Sequence, residues 1–265
     1  MLTTIFSINF LGMVALPILL AFYFTQKFKL AWSLVLAGAL TFIAAQVFHI
    51  PFLQALTTLF NDSGFSASSE TLRTIITAVV LGLAAGVFEE TARFILFKFR
   101  LKDVKTWNEG VLVGVGHGGV EAMLLGILGA LTLINMVIMR NGDLSNFNIP
   151  ADQIDLARQQ IESFWATPAY MAILGLVERI FAICLHLSLS VMVLYSVVYK
   201  KPIWFWAALL WHAFVDALAV YLLPIVGALA VEGVVGALAI ISLWILFTMR
   251  PWFVEVEPAQ TVIEA

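Results

Sequence analysis

Residues 72–97 read LRTIITAVVLGLAAGVFEETARFILF, and this stretch decides the architecture. A helix needs about 20 mainly apolar residues to cross a bilayer, because the hydrocarbon layer is about 30 Å thick and each residue rises about 1.5 Å. The stretch meets that length, yet it carries Glu89-Glu90-Thr91-Ala92-Arg93 in its second half. Charges inside a spanning helix are expensive and mark functional interiors. It therefore reads as a membrane-spanning helix with a working polar face.

The rest of the chain agrees. Of its 265 residues 62% are hydrophobic and 12% charged, far from the balance of a water-soluble domain. The net charge is -3 and the 14 Lys and Arg residues are scattered, so a nucleic-acid partner is excluded. Cys184 is the sole cysteine, which rules out an internal disulfide and a cysteine-rich metal site.

Seven stretches are long and apolar enough to span: residues 5–24, 30–50, 72–97, 108–139, 169–199, 203–222 and 227–249. Pro51 leaves open a division of residues 30–60 into two helices, for eight in all. The first stretch has no basic leader and reads as a retained span. Lys27 and Lys29, then Lys98 to Lys105, then Lys200 and Lys201, then Arg250 fall on alternate connections. Cytoplasmic loops collect such residues, so the expected fold is an all-α, polytopic membrane bundle with the N-terminus outside and the C-terminus inside. Residues 140–168 form an external loop with an interfacial helix at 154–165, and residues 255–265 a short polar tail. No repeat or linker divides residues 1–265, which read as one domain.

Other spans also hold titratable groups. His117-Gly-Gly-Val-Glu121 lies in the fourth, Glu178, Arg179 and His186 in the fifth, and His212-Ala-Phe-Val-Asp216 in the sixth. Residues four apart share a helix face, so Glu89 with Arg93, His117 with Glu121, and His212 with Asp216 each project as a unit. Counted from the basic helix ends, Glu89, His117 and His212 lie roughly 12–13 Å deep and Glu121, His186 and Asp216 roughly 19–20 Å deep. These six fall in one slab. Glu178, Arg179 and His49 lie roughly 30 Å deep by the same count and are left out of the site. Gly82-xxx-Gly86 and Gly114-xxx-Gly118 supply small faces that predict close packing of the third span on the fourth, bringing the glutamate pair to His117.

Two chemistries fit these residues. Catalytic zinc takes three nitrogen or oxygen ligands and keeps one position for water, and His117, Glu121, His186, His212 and Asp216 offer the donors. Without a metal, a buried carboxylate paired with histidine can take a proton from water while other histidines stabilise the oxyanion. Both are hydrolysis inside a membrane. Adjacent helical residues diverge by about 100°, so one of Glu89 and Glu90 faces the cavity as base and Arg93 orients or neutralises Glu89. HExxH and GxSxG are absent from the sequence.

The ordered motifs EExxR, HGGxE, a later lone His and HxxxD resemble those of the YhfC-like intramembrane peptidases, relatives of PrsW and of the CAAX-protease/bacteriocin-processing (CPBP) group. The resemblance covers most of the chain. It implies a multi-pass protease of the bacterial cell (cytoplasmic) membrane, metallo- or glutamic-type, acting on membrane protein or peptide substrates near the cytoplasmic side. On that resemblance Glu89 and Glu90 match the paired glutamates, Glu121 the polar residue of the second motif, His186 the lone histidine, and His212 with Asp216 the last motif; together with the chemistry above, Glu89, Glu90, Arg93 and His117 are the expected catalytic residues, and Glu121, His186, His212 and Asp216 the candidate ligands of a Zn2+ ion. The CAAX group has EExxxR and FxxxH where this chain has EExxR and HxxxE, and PrsW, with EExxK and FxxxE, is closer. That departure points away from prenyl-protein substrates.

A transporter or proton-coupled carrier would use similar buried acids and histidines. It would also commonly show repeats and a polar path across the membrane, and this sequence places its polar groups in one slab instead.

Overall fold

Local sequence sets the helix ends. Glu109 N–H donates to the Thr106 hydroxyl and Thr106 N–H to the Glu109 carboxylate at 2.8 Å, a reciprocal cap that starts the longest helix. Ser69 caps another by accepting from Leu72 N–H at 3.3 Å. The computed structural model describes residues 1–65, 68–142, 144–147 and 149–253. The tail at 255–265 lies outside the described residues, as does Asp143 of the external loop.

Among the described residues there are helices and no strands: α1 (Leu2–Phe28), α2 (Trp32–Asp62), α3 (Glu70–Ile95), α4 (Trp107–Asn141), α5 (Ile154–Trp165), α6 (Leu174–Val198), α7 (Ile203–Val226) and α8 (Ala228–Met249). All but α5 are long and apolar enough to cross a membrane, which makes seven candidate spans. The division at Pro51 does not occur. α2 runs through it, because a proline withholds a single amide and spanning helices accommodate that loss. The short helix expected at 154–165 is α5, and its Phe164 ring stacks on Phe6 of α1 with centroids 4.7 Å apart.

α6 is the hub. Ser188 to Leu194 are almost wholly buried, with α1, α3, α4, α7 and α8 packed around the helix. The predicted packing of α3 directly on α4 is not what the structure shows. A Cβ on Gly82 would lie 2.3 Å from Ala213 O and one on Gly86 2.6 Å from Leu209 O, so the α3 glycines admit α7. One on Gly114 would lie 2.8 Å from Leu187 Cα, so the α4 glycines admit α6. A small-residue stripe specifies close approach but not the partner. α2 packs on both α3 and α4.

Leu11, Leu19, Leu40, Val47, Leu128, Leu210 and Ile240 stand exposed around the outside, as lipid-facing residues do. The basic connections gather at one end, where the Arg250 guanidinium lies 5.3 Å over the Trp107 ring and Trp107 Nε1 donates to Leu246 O at 2.9 Å.

Candidate metal centre

The polar segments of α3, α4, α6 and α7 converge at the middle of the bundle. Glu89, Glu90, Arg93, His117, His186 and His212 are all buried there. Glu90 and Arg93, three apart on α3, are in direct contact, and His212 Nδ1 lies 2.7 Å from Glu90 Oε1. Arg93 Nη2 donates to His186 Nδ1 at 2.6 Å, and His186 Nε2 donates to Glu121 Oε2 at 2.6 Å. Glu89 accepts from His117 Nε2 at 2.9 Å and from Gln46 Nε2 at 3.2 Å. His212 Nε2 then stands 4.0 Å from Glu89 Oε2 and 3.5 Å from Asp216 Oδ2.

The expected residues thus meet, with several pairings redrawn. Both glutamates of α3 are engaged, where the helical angle predicted one: Glu90 turns to α7 and Glu89 to α4, so a gap of about 100° is spanned by partners on two helices. Arg93 neutralises Glu90 and keeps 3.9 Å from Glu89, since the three-residue spacing brings it closer than the four-residue one. His117 and Glu121 do not act as a unit; His117 serves Glu89, and Glu121 serves His186.

Arg179, left out on depth, belongs to the network. Its Nη1 donates to Glu121 Oε1 at 2.6 Å while the same guanidinium contacts Glu178. The depth count follows the backbone, and two long side chains reaching toward each other along the helix axes close roughly 10 Å. Arg179 and His186 are seven apart, two turns on one face of α6, so both reach Glu121.

Other residues carry less obvious signals. Gln46 is an amide in the apolar half of α2, and Phe42, one turn before it, packs edge-on to the His117 ring at 5.3 Å. His49, one turn after it, stacks on Phe88 at 5.3 Å with neither ring nitrogen hydrogen-bonded.

Glu89, His186 and His212 each offer one ligand atom, and those atoms lie within 4.8 Å of one another. Two imidazoles and one carboxylate match a catalytic zinc set. The arrangement around His212 supports the fit, because Glu90 holds Nδ1 and leaves Nε2 turned toward Glu89, as outer carboxylates do for metal-bound histidines. His186 is bonded at both nitrogens, so holding a cation frees it from one of Arg93 and Glu121. Glu121 and Asp216 are not in the trio; each touches one of its histidines.

Seven apolar spans around a buried group of two histidines and a glutamate able to hold a metal define a multi-pass membrane protein with a candidate metal centre. The chain belongs to the YhfC intramembrane metalloprotease family, whose model matches residues 12–238 and so takes in every residue of the candidate centre. It is similar to a Bacillus subtilis (strain 168) protein described as "Uncharacterized membrane protein YhfC", 33% identical over 245 residues, 89% of this chain and 92% of that protein. No solved structure matches it.

Proposed function

We propose that the protein is a zinc-dependent endopeptidase that hydrolyses peptide bonds of membrane proteins or peptides within the bilayer. The observation that carries this reading is the Glu89, His186 and His212 trio, buried, mutually within 4.8 Å and held by a second ring of charged partners. Family membership supports it. The topology is N-terminus outside and C-terminus inside, in the bacterial cytoplasmic membrane, with the centre roughly 12–20 Å from the basic end.

A divalent cation on the trio would polarise the substrate carbonyl and lower the pKa of a bound water. The surrounding residues have separate tasks. Glu90 fixes the His212 ring, and Arg93 balances the Glu90 charge. His117 and Gln46 hold the Glu89 carboxylate from two sides. Asp216 flanks the same His212 nitrogen as Glu89 and is the more open of the two carboxylates. In this reading Asp216, in place of a glutamate of α3, is the base. It takes the proton from water as the water oxygen bonds to the carbonyl carbon, and returns it to the leaving nitrogen as the C–N bond breaks.

The test is cleavage of quenched fluorogenic transmembrane peptides in proteoliposomes. Wild type cleaves, 1,10-phenanthroline stops it, added zinc restores it, and His212→Ala and Asp216→Asn do not cleave. Cleavage that survives the chelator and both substitutions contradicts the reading.

A further inference from the structure

Glu178, Asp216 and Glu232 lie in spanning helices and line an enclosed cavity of about 90 Å3 between α6, α7 and α8, together with Ser242 and otherwise apolar side chains. Two of the acids already have side-chain partners, Glu178 in the Arg179 guanidinium and Asp216 in the His212 ring at 3.5 Å. Even so, 32% of the Glu178 side chain and 37% of the Asp216 side chain remain open. The third acid, Glu232, has its Oε2 shut in without a hydrogen-bond partner.

Hydrocarbon cannot solvate these oxygens, and a charged group facing it costs several kcal/mol. Water can. A polar cavity holds water when it has room and two to four partners per molecule, and about 90 Å3 is well above the roughly 10–15 Å3 that one molecule requires. The cavity also reaches the candidate centre twice. Asp216 joins it to His212 Nε2, and Glu178 begins the chain through Arg179, Glu121 and His186. Glu232 sits one turn inside α8, so the other end of the cavity lies toward the α7–α8 turn at Gly227, away from the basic end.

We infer that the cavity between α6, α7 and α8 is a water inlet, a hydrated pocket that connects the end of the bundle at Gly227 with the His212 face of the candidate metal centre. Its role as the source of attacking water rests on the hydrolase reading; its hydration does not, and the two are tested apart.

Single cysteines are placed at Ala182, Ala219 and Val231, which line the cavity, in a Cys184→Ala background in lipid nanodiscs. Leu210→Cys and Ile240→Cys serve as lipid-facing references. Each is exposed to Ag+, a small hydrated cation that blocks thiols reached through water, and the block is read as lost maleimide labelling after denaturation. The expected result is blocking at the cavity positions at least about tenfold faster than at the references, because thiols in apolar surroundings stay protonated and inert. Equal rates at both sets overturn the inlet. Hydroxyl-radical footprinting of the unaltered chain gives a second reading that no substitution can disturb. Oxidation of Phe181 and Leu185 above that of Leu210 and Ile240 is expected, and oxidation no greater than theirs overturns the proposal. Neither measurement depends on peptide cleavage, so a hydrated cavity in a protein that cleaves nothing separates the two readings.

Discussion

Glu90 Oε1 lies 2.7 Å from His212 Nδ1 while the same carboxylate contacts the Arg93 guanidinium, so one fully buried acid positions both an imidazole and a cation. Such outer partners fix the tautomer and orientation of a metal-binding ring. Glu90→Gln keeps the size and loses the charge. It is expected to weaken zinc binding by about 10- to 100-fold, read by competition with a chromogenic chelator. Unchanged affinity in a folded variant would detach Glu90 from the centre.

Arg93 bridges α3 to α6 through Glu90 and His186. Arg93→Met leaves the buried Glu90 charge uncompensated on that side, at an expected cost of about 3–5 kcal/mol in stability. Arg93→Lys recovers only part of it, since one ammonium cannot present the planar fork that meets both partners. Thermal unfolding in detergent ranks the three proteins, and a lysine variant as stable as wild type would refute the bridging role.

Gly82 and Gly86 let α7 approach the α3 backbone, and that approach places Glu90 against His212. Gly82→Leu is expected to cost about 1–3 kcal/mol or more by overpacking, and to lower zinc affinity because α3 and α7 move apart. Gly233→Ala, with open space at its Cβ, leaves both unchanged. Differential unfolding and zinc titration on the same samples check the pair; loss of stability without loss of affinity would show that the glycines serve packing alone.

The spans were legible in the sequence, because length, apolarity and charged interruptions are local properties, and Glu89 does meet His117, though not through the packing of α3 on α4 that the glycines suggested. Which helix lies against which was not. Gly82 and Gly86 of α3 and Gly114 and Gly118 of α4 predict intimate contact without naming a partner, and the structure gives them α7 and α6. Depth along a helix put His186 and His212 in one slab, where their rings meet, but excluded Arg179, whose side chain runs along the axis to Glu121. The division of labour between Glu89 and Glu90 depends on the partners that α4 and α7 present, which helical angle alone does not determine. Gln46 was legible in principle, as an amide with no reason to sit in lipid, but a search confined to charged and titratable groups passes over it.

The central claim is that Glu89, His186 and His212 hold a metal ion. Elemental analysis of the detergent-purified chain, prepared without chelator alongside His186→Ala and His212→Ala, tests it most directly. The account predicts zinc at about one ion per chain in wild type and its loss in both variants. Wild type free of metal, or variants that retain it in full, would contradict the account.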